Sequence, residues 1–115
     1  MQVSDEEFDE LVVEALDGIP PELSALIDNV VVLVEPEPPA DDPELLGLYD
    51  GVPLTERDSS YTFFPPDRIF VYRGPLLRMC ATAEALVEEV RITVVHEIAH
   101  HFGIDDDELH DLGYA

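Results

Sequence analysis

Near the end of the chain two histidines and a glutamate stand in the order His96-Glu97-Ile98-Ala99-His100. On an α-helix, residues four apart lie one turn apart on the same face, so two imidazoles at this spacing can grip a single ion. Glu97 projects about 100° round the helix from His96. That puts its carboxylate beside the ion rather than on it, where it can take a proton from an attacking water. Taken singly, either histidine on an apolar helix reads as a hydrogen-bonded core residue. Together and at this spacing they read as a metal site with a general base, and zinc is the divalent ion that suits such a donor set.

Two imidazoles alone hold zinc weakly, and catalytic zinc takes three protein ligands while keeping one position open. Only fifteen residues follow His100. Gly103 can take the left-handed conformation that ends a helix and turns the chain, which would carry an acceptor a few residues later toward the ion. Asp106 stands at the useful position, and Asp105, Asp107 and His110 compete with it. An aspartate here also reads as a helix cap, and imidazole is itself a good zinc donor. His101 lies about 140° round from His96 and is expected to be structural or on the surface. Glu89, two turns before His96 on nearly the same side, could orient a ligand or meet a cationic group, but a solvated helix residue is the plainer reading. Tyr61, Tyr72 and Tyr114 carry hydroxyls that could steady a tetrahedral intermediate; none is assigned that role, because an aromatic core or surface position accounts for each.

A rigid helix must present these groups. Thr82 is a plausible cap for a long one running from Ala83 to about Phe102 and stopped by Gly103. Val87, Val94, Val95, Ile98, Ala99 and Phe102 are expected to bury its far side and one flank, leaving Glu89, Thr93, His96, Glu97 and His100 on a polar sector. Ser4 with Glu7 forms a capping-box pattern, and Phe8, Leu11, Val12, Ala15 and Leu16 recur at helical spacing until Gly18. Pro20 and Pro21 open a further short turn through Leu26. Val30 to Glu35, VVVLVE, has the β-branched richness of a buried strand. The proline-rich stretch from Pro36 to Pro43 suits a surface loop. Leu45 to Tyr49 reads as a short strand turned at Asp50-Gly51, and Asp67 to Arg73 as another, with SSYTFFPP between them mostly loop. A short helical piece is expected after Gly74-Pro75, and a final helix opens within Asp105 to Glu108 and runs through Leu112. Helices and strands do not alternate as βαβ units. The expected fold is therefore one α+β domain over residues 1–115, with the long helix packed on a short mixed β-sheet between N- and C-terminal helices.

Hydrophobic residues make up 46% of the chain, so it has the means to fold, and 115 residues allow one core. The 27 acidic residues against 5 basic ones give a formal charge of −22. Such a surface repels nucleic-acid backbones and anionic lipid and favours cationic partners or salty solvent. A single cysteine, Cys80, excludes an intrachain disulfide. The acidic start lacks the features of a signal peptide, and no apolar run approaches a membrane span, so a cytoplasmic protein without membrane contact is expected.

The segment from His96 to Asp106 matches HExxHxxGxxD, and in this it resembles the Asp-zincin metallopeptidases. The small size, the strands before the motif and its place near the end of the chain are similar to the compact bacterial mini-zincins. The resemblance implies zinc held by His96, His100 and Asp106, with Glu97 as general base for peptide-bond hydrolysis. It further implies a peptide or protein substrate, of basic character if the charge selects it, aligned along an edge strand for which Asp67 to Arg73 is the candidate. No methionine follows the motif to supply the turn beneath the metal found in metzincins. Two other readings stay open. One is a non-catalytic metal-binding module for a basic partner. The other is a metal-dependent endoribonuclease, since HEIAHHFGIDD is distantly similar to the histidine cluster of bacterial enzymes that mature ribosomal RNA. Those lack a counterpart of Glu97, and the charge opposes RNA.

Overall fold

The computed structural model describes residues 1–27, 29–51 and 66–111, with the side chain of Asp106 outside that set. The Ser4 hydroxyl accepts the Glu7 N–H at 3.1 Å and opens α1, Asp5–Asp17, which buries Phe8, Val12 and Ala15. Pro20 and Pro21 lead into a single turn, α2 (Pro21–Ser24), continued as a 3-10 turn over Ala25–Ile27. Among the described residues three strands follow: β1 (Val30–Glu35), β2 (Gly47–Asp50) and β3 (Asp67–Tyr72). Three helices complete the order: α3 (Arg73–Met79), α4 (Ala83–Phe102) and α5 (Asp106–Asp111).

The fold is α+β, with a small mixed sheet and the long α4 packed on it. The sheet order is β1-β3-β2. β1 runs parallel to β3 with Val30 opposite Asp67, and β2 runs antiparallel to it with Gly47 opposite Val71. Strand order corrects one expectation. Asp67 to Arg73 is not an edge strand: β3 is paired on both sides and has no free ladder to offer a substrate. Among the described residues the edge beside α4 belongs to β2.

Alternation along the strands explains a second difference. VVVLVE reads as fully buried, yet its residues alternate between half-buried and exposed, with Val31 and Leu33 each 39% exposed. β1 is terminal in the sheet and only its Val30, Val32 and Val34 side faces the core. The third difference is in α3, which begins at Arg73 and takes Gly74-Pro75 into its first turn, where a proline has no helical bond to lose. The stretch 59–65 and residues 112–115 lie outside the described residues, so the expected SSYTFFPP loop and the end of the last helix at Leu112 are not described.

One cluster of buried side chains joins the layers: Phe8 and Val12 of α1, Ile69 and Val71 of β3, Leu76 of α3, and Leu86, Val90, Val94 and Ile98 of α4. Leu109 ties α5 to it. At about 25 cal/mol per Å² of apolar surface removed from water, each such side chain contributes on the order of 2 kcal/mol. The cluster holds α4 rigid and leaves one sector of it free for chemistry.

Candidate metal centre

Helix α4 is bounded by the residues that sequence assigns to its ends. Thr82 is in extended backbone and its hydroxyl accepts the Ala85 N–H at 3.1 Å. Gly103 sits at φ 69°, ψ 28°, in the left-handed region, and the next residue, Ile104, donates its N–H to the Ala99 carbonyl at 2.9 Å. This closure satisfies the last carbonyls of the helix and turns the chain, with Ile104 packed against the core. α5 then starts three residues on, its first turn capped by Asp105, whose carboxylate accepts the Glu108 N–H at 2.8 Å.

On α4, His96 and His100 are exposed and Glu97 is half-buried. The Glu97 carboxylate reaches the edge of the sheet, where its Oε1 accepts the Tyr49 main-chain N–H at 2.9 Å. The phase of the ladder explains why that N–H is available. Tyr72 N–H donates to Leu46 C=O at 2.9 Å, so Leu46, Leu48 and Asp50 point their main-chain groups at β3, while Gly47 and Tyr49 point theirs outward. Glu97 therefore occupies an outward-facing donor of the edge strand. The approach is close because of Gly47: a Cβ there would lie 2.6 Å from Thr93 Cγ2 and 3.0 Å from the Phe70 carbonyl oxygen.

His101 braces the same junction. Its ring stacks on Tyr49 with centroids 3.9 Å apart and planes 12° from parallel, and it meets Phe102 edge-on at 4.9 Å. The Tyr49 hydroxyl donates to Asp67 Oδ2 at 2.8 Å, and His101 Nε2 lies 3.9 Å from the same oxygen. A carboxylate at the start of a central strand is thus hydrogen-bonded despite burial, as a buried charge must be. His101 is structural, as its helical angle indicates. The signal missed in the sequence is Tyr49, which serves Glu97 through its backbone and His101 through its ring.

Two assignments to the faces of α4 change. Thr93, expected on the polar sector, is buried under Gly47, and Phe102, expected to be buried, is 41% exposed. Of the rival donors, Asp105 is engaged as the cap of α5, while Asp107 and His110 are exposed on it. The Asp106 side chain is outside the described residues, and among those described no three His, Cys, Asp or Glu side chains form a metal-holding group. Glu89 is half-buried and within electrostatic reach of Cys80. Burial first, and that carboxylate second, push the Cys80 thiol up, against a smaller lowering by the N-terminal ammonium. Tyr72 is buried, and burial, followed by Glu35, Asp50 and Glu97, pushes its hydroxyl up. Tyr61 and Tyr114 lie outside the described residues.

The long helix carrying HExxH, laid on a small mixed sheet with an edge strand at its glutamate, is the arrangement of a zincin. A family model described as Zincin-like metallopeptidase matches residues 27–114, and the chain belongs to that family. Among solved structures it is similar to a conserved hypothetical protein from Thermo thermophilus. The two are 25% identical with a TM-score of 0.57, over 87% of this chain and 94% of that one. No protein of curated function matches the sequence.

Proposed function

We propose that the protein is a zinc-dependent metallopeptidase in which His96, His100 and Asp106 hold the metal and Glu97 is the general base. The observation that carries this reading is the position of Glu97, one residue from an exposed histidine and hydrogen-bonded to the sheet edge. The donor set fits zinc: two imidazoles one turn apart on a helix stiffened by the core, followed by a left-handed turn into a carboxylate-rich segment. Bound zinc supplies a Lewis acid that makes water a stronger acid and polarises the scissile carbonyl.

The chain's own residues do the rest. The Tyr49 N–H holds Glu97 Oε1, which leaves Oε2 for the attacking water. Glu97 takes the proton of that water as its oxygen bonds to the carbonyl carbon. It delivers the proton to the amide nitrogen, which leaves with the electron pair of the broken C–N bond. The outward-facing groups of Gly47 and the Tyr49 carbonyl offer an extended substrate a short stretch of strand pairing beside this base. The substrate edge is accordingly β2.

The test is metal content of the purified protein, with metal-loaded wild type and Glu97→Gln each incubated with a mixed pool of basic and acidic peptides. Near-stoichiometric zinc in both, with cleavage only in wild type, is the expected result. A variant with full activity removes Glu97 from the mechanism. Zinc without cleavage by either protein supports a metal-binding module for a basic partner instead, and absence of bound metal where histidine is neutral overturns the centre itself.

A further inference from the structure

On the side of the sheet away from β2, α1 and β1 leave a groove of about 340 Å³ between them. Its walls are Val12, Val13 and Leu16 from α1 and Val32, Leu33 and Val34 from β1. Consecutive strand residues alternate between the two faces of a sheet, so a groove lined by three in a row runs along the strand's edge rather than over one face. Among the described residues this edge is an outer one, because β1 is terminal in the order β1-β3-β2. Asp67 N–H donates to Asn29 C=O at 3.1 Å, and the strands are parallel with Val30 opposite Asp67. Val31, Leu33 and Glu35 therefore direct their main-chain groups at β3, and Val30, Val32 and Val34 direct theirs away from it, the last two beside the groove.

An open edge with apolar walls invites pairing with any other chain unless something selects against it. Charge makes the selection here. Asp9 lines the groove, Glu6, Glu10 and Asp17 are exposed residues of the same helix, and Glu35 is exposed at the strand's end. Among the described residues no basic one lines it. The arginines of the described residues are paired with other carboxylates, Arg68 with Asp50, Arg73 with Asp5, Arg78 with Glu37 and Arg91 with Glu88. A second copy of the chain would set like charge against like charge, whereas a basic strand would be drawn in.

We propose that this groove docks an extended segment of a partner protein in which apolar and basic side chains alternate, adding to β1 as a further strand. Its main chain pairs with the outward groups of Val30, Val32 and Val34. Its apolar side chains fill the space between the two valine-rich walls, and its lysines or arginines meet the carboxylates of α1. The inference is about binding and stands apart from the chemistry at α4.

Fluorescence anisotropy with a labelled peptide of alternating valine and lysine, titrated with the full chain, tests this. Saturable binding is expected, weakened about tenfold or more when glutamate replaces lysine and when proline interrupts the peptide's pairing positions. In the protein, Val32→Pro removes an N–H that faces the groove and not β3, while Asp9→Arg and Val13→Arg alter exposed positions of α1, Val13 being 57% exposed. Each should weaken binding by a similar factor, and hydrogen exchange at Val32 and Val34 should slow when the peptide binds. Four results would overturn the proposal: equal binding of the glutamate peptide, equal binding of the proline-interrupted peptide, unchanged affinity in Asp9→Arg and Val13→Arg, or a self-associated chain whose β1 amides are protected without peptide.

Discussion

At residue scale, the three histidines of α4 stand in two different surroundings. His96 and His100 face solvent, whereas His101 packs its ring on Tyr49. A stacked aromatic pair of this kind contributes about 0.5–1.5 kcal/mol beyond area burial. His101→Ala should therefore lower unfolding stability by roughly 1 kcal/mol in a denaturant titration and leave zinc stoichiometry intact. His96→Ala should do the opposite, removing zinc with little loss of stability in the metal-free protein. If His101→Ala also abolished zinc binding, the division would be wrong. A separation of about 140° round the helix follows from sequence spacing alone, so the different position of His101 is legible in the sequence. Tyr49 is not, because its partner Glu97 is 48 positions away and nothing local marks a main-chain N–H as the one turned outward from a strand.

At the scale of elements, the ends of α4 are readable because they are local chemistry: a threonine hydroxyl on one N–H, and a glycine where φ must be positive. Strand order is not readable, because β1, β2 and β3 are each short and only long-range packing decides which lies in the middle. Asp67 to Arg73, the candidate for the edge strand that the zincin resemblance implies, is instead the centre. The contact of β2 with α4 can be tested at Gly47. An added Cβ would stand 2.6 Å from Thr93 Cγ2 and 3.0 Å from a backbone oxygen that cannot swing away. Gly47→Ala should cost about 1–3 kcal/mol of stability and reduce kcat more than zinc affinity, since it parts Tyr49 from Glu97. β3 also carries a pH dependence through Tyr72. Burial, then the carboxylates of Glu35, Asp50 and Glu97, hold its proton on in the folded chain. A raised folded value means that this contribution is intact below the unfolded value of about 10 and is lost as pH rises through the folded one. Stability should fall across that alkaline range, and Tyr72→Phe should flatten the fall; an unchanged slope in the variant would assign it to other groups.

At the scale of the whole molecule, 27 carboxylates against 5 basic residues set self-repulsion against the compact state. Added sodium chloride should raise Tm gradually and without saturation as repulsion is screened over a Debye length of about 10 Å at 0.1 M. Zinc should act differently if one site holds it. A ligand at about a hundred times its Kd stabilises by about 2.7 kcal/mol. At roughly 4 °C per kcal/mol for a chain of this size, that is a rise on the order of 10 °C. The increment should saturate near one equivalent, persist in high salt, vanish with a chelator and be absent from His96→Ala. The charge makes the control necessary, because so many carboxylates bind divalent ions diffusely. Magnesium reports that diffuse part, since it suits oxygen donors and not imidazole. A zinc increment no larger than that of magnesium, or one retained by His96→Ala, would mean that the surface holds the metal and that the histidine pair does not.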